Sequence, residues 1–225
     1  MRPAGCSVIL TVLLVAMTGA GNAAAGPATD QLRAHVDQVL KALDTPGDGK
    51  IQERRATTRR IAEDIFDFTE ISQRSLGVHW HARTPAERQE FVALFTDLLE
   101  RSYVSKIELY SGEKILYVGE LGDGEAVTVR TRIRTKQGTE VPVDYRMLRR
   151  GDRWRAFDVA IEGVSLVGNY RTQFNKIVQT SSYTELVKRL RAKLDEPEPA
   201  AAGRGGRSAG AAGAGRPRPD RPQSP

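Results

Sequence analysis

The chain has 225 residues, 34 of them basic and 28 acidic, for a formal charge of +6 at neutral pH, and it has one cysteine. That length supplies one domain or at most two, and a composition of 40% hydrophobic and 28% charged residues excludes a multi-span membrane protein and a wholly disordered chain. A single cysteine excludes a disulfide framework, a cysteine zinc cage and an iron–sulfur cluster within one chain, while the basic balance leaves nucleic acid and anionic membrane as partners to weigh.

The N-terminus carries Arg2, an apolar run from Val8 to Met17, and small residues ending in Ala23-Ala24-Ala25. A charged start, a short apolar stretch and an A-x-A end mark a secretory signal. The run falls short of the roughly 20 apolar residues that span a bilayer. Residues 1–25 are therefore expected to be cleaved, with an uncleaved anchor as the alternative. Cys6 precedes the apolar run, so it is not placed to bear a lipid, and it leaves with the signal. At the other end, residues 196–225 hold Ala, Gly, Pro and Arg but no Val, Ile, Leu, Met or aromatic residue. With nothing to bury against its ordering entropy, this tail is expected to be disordered. The domain is then 26–195, with 28 basic and 25 acidic side chains (net +3) and every aromatic residue of the chain.

Within that domain, Leu32, Val36, Val39, Leu40 and Leu43 fall at helical spacing, predicting a helix over 29–44 that Pro46-Gly47 ends. Ile61, Ile65 and Phe68 predict a second helix over 51–71. Thr84-Pro85-Ala86-Glu87 is a helix start with Thr at N-cap, Pro at N1 and Glu at N3, followed by Phe91, Leu94, Phe95, Leu98 and Leu99 on one stripe, with Gly112 as the expected stop. The period then becomes two. Ile115–Leu121, then Val127, Val129, Thr131 and Ile133, then Val141, Val143, Tyr145 and Met147, and finally Phe157, Val159 and Ile161 read as four antiparallel strands, with turns at 122–124, 137–138 and 150–152. Two helices follow, one bearing Leu166, Val167, Tyr170, Phe174 and Ile177, the other opening at Ser182 with Glu185 three residues on. Helices segregated from an antiparallel sheet predict an α+β fold, a four-stranded sheet packed on a helical layer.

Motifs that would announce catalysis are weak or missing. Gly163-Val164-Ser165-Leu166-Val167 imitates a nucleophile elbow but lacks its second glycine and reads as a turn into a helix. His79-Trp80-His81 lacks a nearby acidic ligand. The loop beginning at Asp44 has Pro46 and Arg55 where a calcium loop needs ligands. No phosphate loop or dinucleotide fingerprint occurs. Asp158 and Glu162 share a strand region and are expected to pair with Arg153 or Arg155. The row Arg130, Arg132, Arg134 reads as a solvated face balanced by Glu140 and Asp144 rather than as a nucleic-acid stripe. What stands out is apolar. One sheet face offers Val127 through Ile161, and several helices offer aromatic residues such as Phe91, Phe95, Tyr103, Tyr110, Tyr170 and Phe174. The pattern fits a plain packed core, and it equally fits a sheet and helices standing far enough apart to hold a lipid.

The stretches IAEDIFDFTEISQRSLGVHW (61–80), TPAERQEFVALFTDLLERSYVSKIELYSGEKI (84–115) and above all WRAFDVAIEGVSLVGNYRTQF (154–174) resemble the toluene-tolerance (MlaC) family of periplasmic phospholipid-binding proteins, over about residues 30 to 194. The resemblance implies a non-enzymatic periplasmic carrier without cofactor or metal. It would take phospholipid acyl chains into an apolar cavity between sheet and helices, exchange lipid with an inner-membrane ABC transporter complex and an outer-membrane lipoprotein complex, touch membranes transiently and serve outer-membrane lipid asymmetry. A branch associated with hopanoid synthesis leaves another lipid or hydrophobic solute as an alternative, and a secreted enzyme on the same scaffold is the more distant one. The walls implied are Phe95, Tyr103, Tyr110, Val129, Ile133, Val143, Tyr145, Phe157, Val159, Ile161, Tyr170 and Phe174, with Lys106, Arg132 and Arg171 as candidates for the head group. No nucleic-acid partner is expected.

Overall fold

The computed structural model describes residues 26–43, 51–108 and 112–196, with side chains left undescribed at 51–52, 54–55 and 104–108. The expected signal, the expected tail from 197 onward and the loop at 44–50 lie outside the described residues. Four helices precede the sheet: α1 (Pro27–Leu43), α2 (Ile51–Ile65), α3 (Phe68–Leu76) and α4 (Pro85–Glu108), with a 3₁₀ turn at Gly77–His79 between the last two. Strands β1 (Lys114–Leu121), β2 (Ala126–Arg134), β3 (Glu140–Arg150), β4 (Arg153–Ile161) and β5 (Val164–Ser165) form one antiparallel sheet in chain order, and α5 (Leu166–Thr180) and α6 (Tyr183–Asp195) close the described chain. The α+β architecture is as the patterning predicts, but the sheet has five strands instead of four. The fifth is a two-residue edge strand that turns back on β4 through Glu162 and Gly163.

Local chemistry explains the boundaries. At the start of α4, the Thr84 N–H donates to Glu87 Oε2 (2.8 Å) and the Glu87 N–H donates to Thr84 Oγ1 (3.2 Å), a closed capping box. The single helix expected over 51–71 is two helices. Asp67 ends the first path and caps α3, its carboxylate accepting from the Glu70 N–H (3.0 Å) while its own N–H donates to the Ala156 carbonyl of β4 (2.9 Å). Phe66 bridges β4 at Ala156, so the break between α2 and α3 is where the helical run is stitched to the sheet. Ser165 caps α5 (Gly168 N–H to Oγ, 2.9 Å) and Ser182 caps α6 (Glu185 N–H to Oγ, 3.1 Å).

The apolar side chains settle into two separate clusters. One is a helical bundle of α3–α6, built on Ile71, Leu76, Trp80, Phe91, Phe95, Leu98, Phe174 and Leu186. The other lies between the sheet and α1–α2, built on Ala28, Leu32, Ile61, Ile65, Val127, Val129, Met147, Trp154 and Ala156. Phe66, at the α2–α3 break, packs against both. Each cluster removes from water the faces that helical or strand periodicity made apolar, at about 25 cal/mol per Å² of apolar surface.

Candidate functional site

The strand register arranges the inner face of the sheet in rows. Ile115, Ile133 and Val141 form the outermost row. Tyr117, Thr131, Val143 and Ile161 form the next, followed by Glu120, Val129, Tyr145 and Val159. Val127, Met147 and Ala156 make the innermost row, and all three are buried in the cluster under α1 and α2. The three rows beyond it differ. Ile115, Ile133, Val143, Val159 and Ile161 belong to neither cluster. Val143 is buried, Ile133 and Val159 are half-buried, and Ile161 is 43% exposed. Ile115, Ile133, Val159 and Ile161 thus leave partly exposed apolar side chains around the buried Val143, at the end of the sheet where β1 begins.

Two tyrosines stand at the seam between the sealed and open rows. Tyr117 and Tyr145 both pack against the sheet–α1–α2 cluster. Burial raises the pKa of both hydroxyls. That of Tyr145 is pushed up to about 12, and at Tyr117 neighbouring Tyr145 and Asp37 reinforce burial while Arg33 opposes it. Both therefore remain protonated at ordinary pH. The Arg33 guanidinium lies over the Tyr117 ring, 4.6 Å from its centroid. Glu120, at the end of the third row, accepts from the Thr29 N–H and hydroxyl (2.9 Å each) and so fastens the first turn of α1 to β1.

Of the residues expected to line a site, Ile133, Val143, Tyr145, Val159 and Ile161 share adjacent rows of this face. Val129 shares it too but is wholly buried in the sealed part. Phe157 does not join them. A register shift between Arg146 and Met147 leaves it opposite no β3 residue, and its ring sits 4.2 Å from the Arg74 guanidinium of α3. Phe95, Tyr170 and Phe174 interlock in the helical bundle with ring centroids 4.9–5.4 Å apart, and Tyr103 packs beside them. These four belong to the helical cluster, to which none of the outer-row residues belongs. Tyr110 and the side chain of Lys106 lie outside the described residues. Arg132 points to the other face, where it and Arg134 hold Glu140 (3.1 and 2.6 Å). Arg171 packs its methylenes against Gly77 of the 3₁₀ turn. Ile115, Tyr117 and Val141 also lie on this face and were not among the expected wall residues.

The polar motifs are structural. Asp158, 2% exposed, accepts from the Ser165 hydroxyl (2.6 Å), the Val167 N–H (3.0 Å) and Arg146 (3.3 Å). Its partner is thus Arg146 rather than the expected Arg153 or Arg155, which meet Asp64 and the Glu63 carbonyl. His79 shares a hydrogen bond with Asn175 (2.9 Å). Among the described residues no cluster of three or more His, Cys, Asp or Glu is spaced for a metal. Open grooves include one of about 500 Å³ between α4 and α6, one of about 400 Å³ between α1 and α2 and one of about 250 Å³ on the outer sheet face, and each carries several charged side chains, unlike the inner rows.

The MlaC protein family matches this chain over residues 33–192. The chain belongs to the MlaC family. It is 25% identical over 122 residues to the toluene tolerance protein ttg2D of Pseudomonas putida, a match that covers 53% of this chain and 57% of that protein's length. Among solved structures, the phospholipid-binding protein of Ralstonia solanacearum, in complex with a phospholipid, superposes with a TM-score of 0.66 at 24% identity over 74% of this chain and 96% of that one. The helix-and-sheet arrangement described above is therefore the fold of a phospholipid-binding protein.

Proposed function

We propose that this protein is a non-enzymatic periplasmic lipid carrier that holds the acyl chains of a phospholipid against the open inner rows of its sheet. One observation carries the reading: Ile115, Ile133, Val159 and Ile161 leave partly exposed apolar side chains around Val143 on one sheet face, outside both clusters, in a fold shared with a phospholipid complex. An isolated exposed Ile means little, but several exposed apolar side chains together on one face are where a ligand or partner is to be sought. Each methylene taken from water gains about 0.8 kcal/mol, so two acyl chains gain on the order of 20 kcal/mol gross. A bilayer offers nearly the same gain, so transfer between membrane and carrier is close to balanced, while the carrier keeps the lipid out of water. On this reading the expected export signal delivers the chain to the periplasm, and the partners are an inner-membrane ABC transporter complex and an outer-membrane lipoprotein complex.

The test is native mass spectrometry of the full chain purified from a Gram-negative host, before and after delipidation and incubation with phospholipid vesicles. A lipid adduct is expected in the first state and regained in the last; its absence from both overturns the reading. Ile161→Lys keeps the fold, because the position is already partly exposed, and should reduce the loaded fraction several-fold. Unchanged loading would move the acyl chains elsewhere.

A further inference from the structure

The turn between β4 and β5 holds two apolar side chains out in water. Val164 is 66% exposed, and Ile161, its cross-strand partner, is 43% exposed. Neither belongs to a core cluster. Between them Glu162 and Gly163 both take positive φ (50° and 81°), the backbone of a two-residue hairpin turn. The turn is anchored on both sides. The Glu162 N–H donates to the Pro142 carbonyl of β3 (2.9 Å), while Ser165 donates to Asp158 (2.6 Å) and caps α5. The same end of the sheet carries cations. Lys114 and Arg134 share a register row with Glu140, and Arg132 lies opposite Pro142, the residue that holds the turn. Lys136 is exposed in the β2–β3 turn. Around Gly138 and Gly163, at the two turns, no other part of the described chain lies within 4 Å of where a Cβ would stand. Both turns therefore project into open space. Arg132 and Arg134 share the single carboxylate of Glu140. With Glu113 and Glu162 counted, four cations stand against three carboxylates, so this end is apolar at its tip and weakly basic around it.

We propose that the β4–β5 turn is a membrane-docking tip: Val164 and Ile161 enter the interface of a lipid bilayer while Lys114, Arg132, Arg134 and Lys136 meet its phosphates. A bilayer surface sets anionic phosphates directly above hydrocarbon, the order in which these side chains are arranged around the tip. A protein partner would need a pocket cut to a protruding turn, whereas a bilayer yields to it. Ile161 belongs both to the tip and to the row of Val143, so docking here brings the partly exposed inner rows to the membrane. This rests on the carrier reading and names the surface by which lipid is collected. Val164 then acts on the rate of loading and not on how much lipid is finally held.

The experiment mixes the delipidated full chain with vesicles of phosphatidylcholine, with or without phosphatidylglycerol. It follows lipid uptake over time by native mass spectrometry and vesicle binding by flotation. Val164→Asp should slow uptake at least about fivefold and lower flotation by a similar factor, the worth of an apolar side chain kept from hydrocarbon, with the final loaded fraction unchanged. Val164→Thr keeps the branched shape of the strand residue and should shift both readouts the same way by less, so the test stands if the aspartate variant fails to fold. Wild type should bind the phosphatidylglycerol vesicles a few-fold better than neutral ones, and Lys136→Glu should erase that preference. Wild type that loads without floating, or Val164 variants that load and float as wild type does, overturns the docking tip and leaves the carrier reading standing; the encounter would then run through another surface or a protein partner. A Val164 variant whose final loaded fraction falls with no change in rate also overturns it, because Val164 would then line the lipid site. A chain that never loads overturns the carrier reading and, with it, the role proposed for the tip.

Discussion

Replacing Asp158 isolates the joint that holds the end of the sheet to the helices. Its carboxylate satisfies the buried Val167 N–H at the start of α5, the Ser165 hydroxyl on β5 and the half-exposed Arg146 on β3. Asp158→Ala strands the Val167 donor, which costs about 1–3 kcal/mol, and breaks a charge-assisted bond of about 1.5–3 kcal/mol to the serine. Arg146 returns to water and contributes about 0–1 kcal/mol. A loss of about 2.5–7 kcal/mol follows. Asp158→Asn keeps an oxygen for Val167 and presents an amide to a serine hydroxyl that can turn to accept, so it should lose about 1–2 kcal/mol. Urea denaturation with an unchanged slope measures both. If the alanine variant loses less than about 1 kcal/mol, or the asparagine variant loses as much as alanine, the carboxylate is not the joint described and the order of these terms is wrong.

Three further outcomes are expected. Phe95→Ala should cost about 3–5 kcal/mol, because the ring is fully buried among Phe91, Tyr170 and Phe174. The protein that remains folded should still carry as much lipid as wild type, and a selective loss of lipid would put Phe95 in the site. Glu100 has its pKa raised above the ordinary 4.5, first by burial and then by Asp97 and Glu63, against the pull of Arg59. Its folded form therefore holds a proton that the unfolded chain has released, and its contribution to stability is full below 4.5 and is lost as pH rises through the raised value. Denaturation midpoints across the acid range should show that slope in wild type and lack it in Glu100→Gln; a slope that persists places its origin in another group. Thr84→Ala should lose about 1 kcal/mol by opening the α4 capping box, read by thermal melting, and no change would mean that Pro85 alone sets that helix start.

The fold was legible wherever periodicity and caps agree. Thr84 and Ser182 mark helix starts that form, and the alternation in β2 and β3 gives the correct inner face. The helix break at Asp67 was written in the sequence as Asp67-Phe68-Thr69-Glu70, a cap followed by an acid at N3, but the apolar stripe running through it favoured one helix. The site was harder for two reasons. First, an amphipathic stripe says that a face is buried, not against what. Phe95, Tyr170 and Phe174 meet each other instead of the sheet because α4 and α5 pack in their own bundle. Second, a strand's alternation fixes a face only while the register is regular. A bulge between Tyr117 and Gly119 and another at Phe157 each insert a residue that pattern counting assigns to the wrong side. In β1 the run Ile115-Leu116-Tyr117-Val118 is apolar on both faces, so alternation alone does not pick out Tyr117.

The two clusters bear on how the protein behaves when empty. Each is filled by its own side chains, and the open rows belong to neither. A ligand on those rows adds to stability by mass action, in proportion to the logarithm of its concentration over its dissociation constant, and folding does not wait for it. On the carrier reading, loading and unloading are then events at equilibrium on a finished protein.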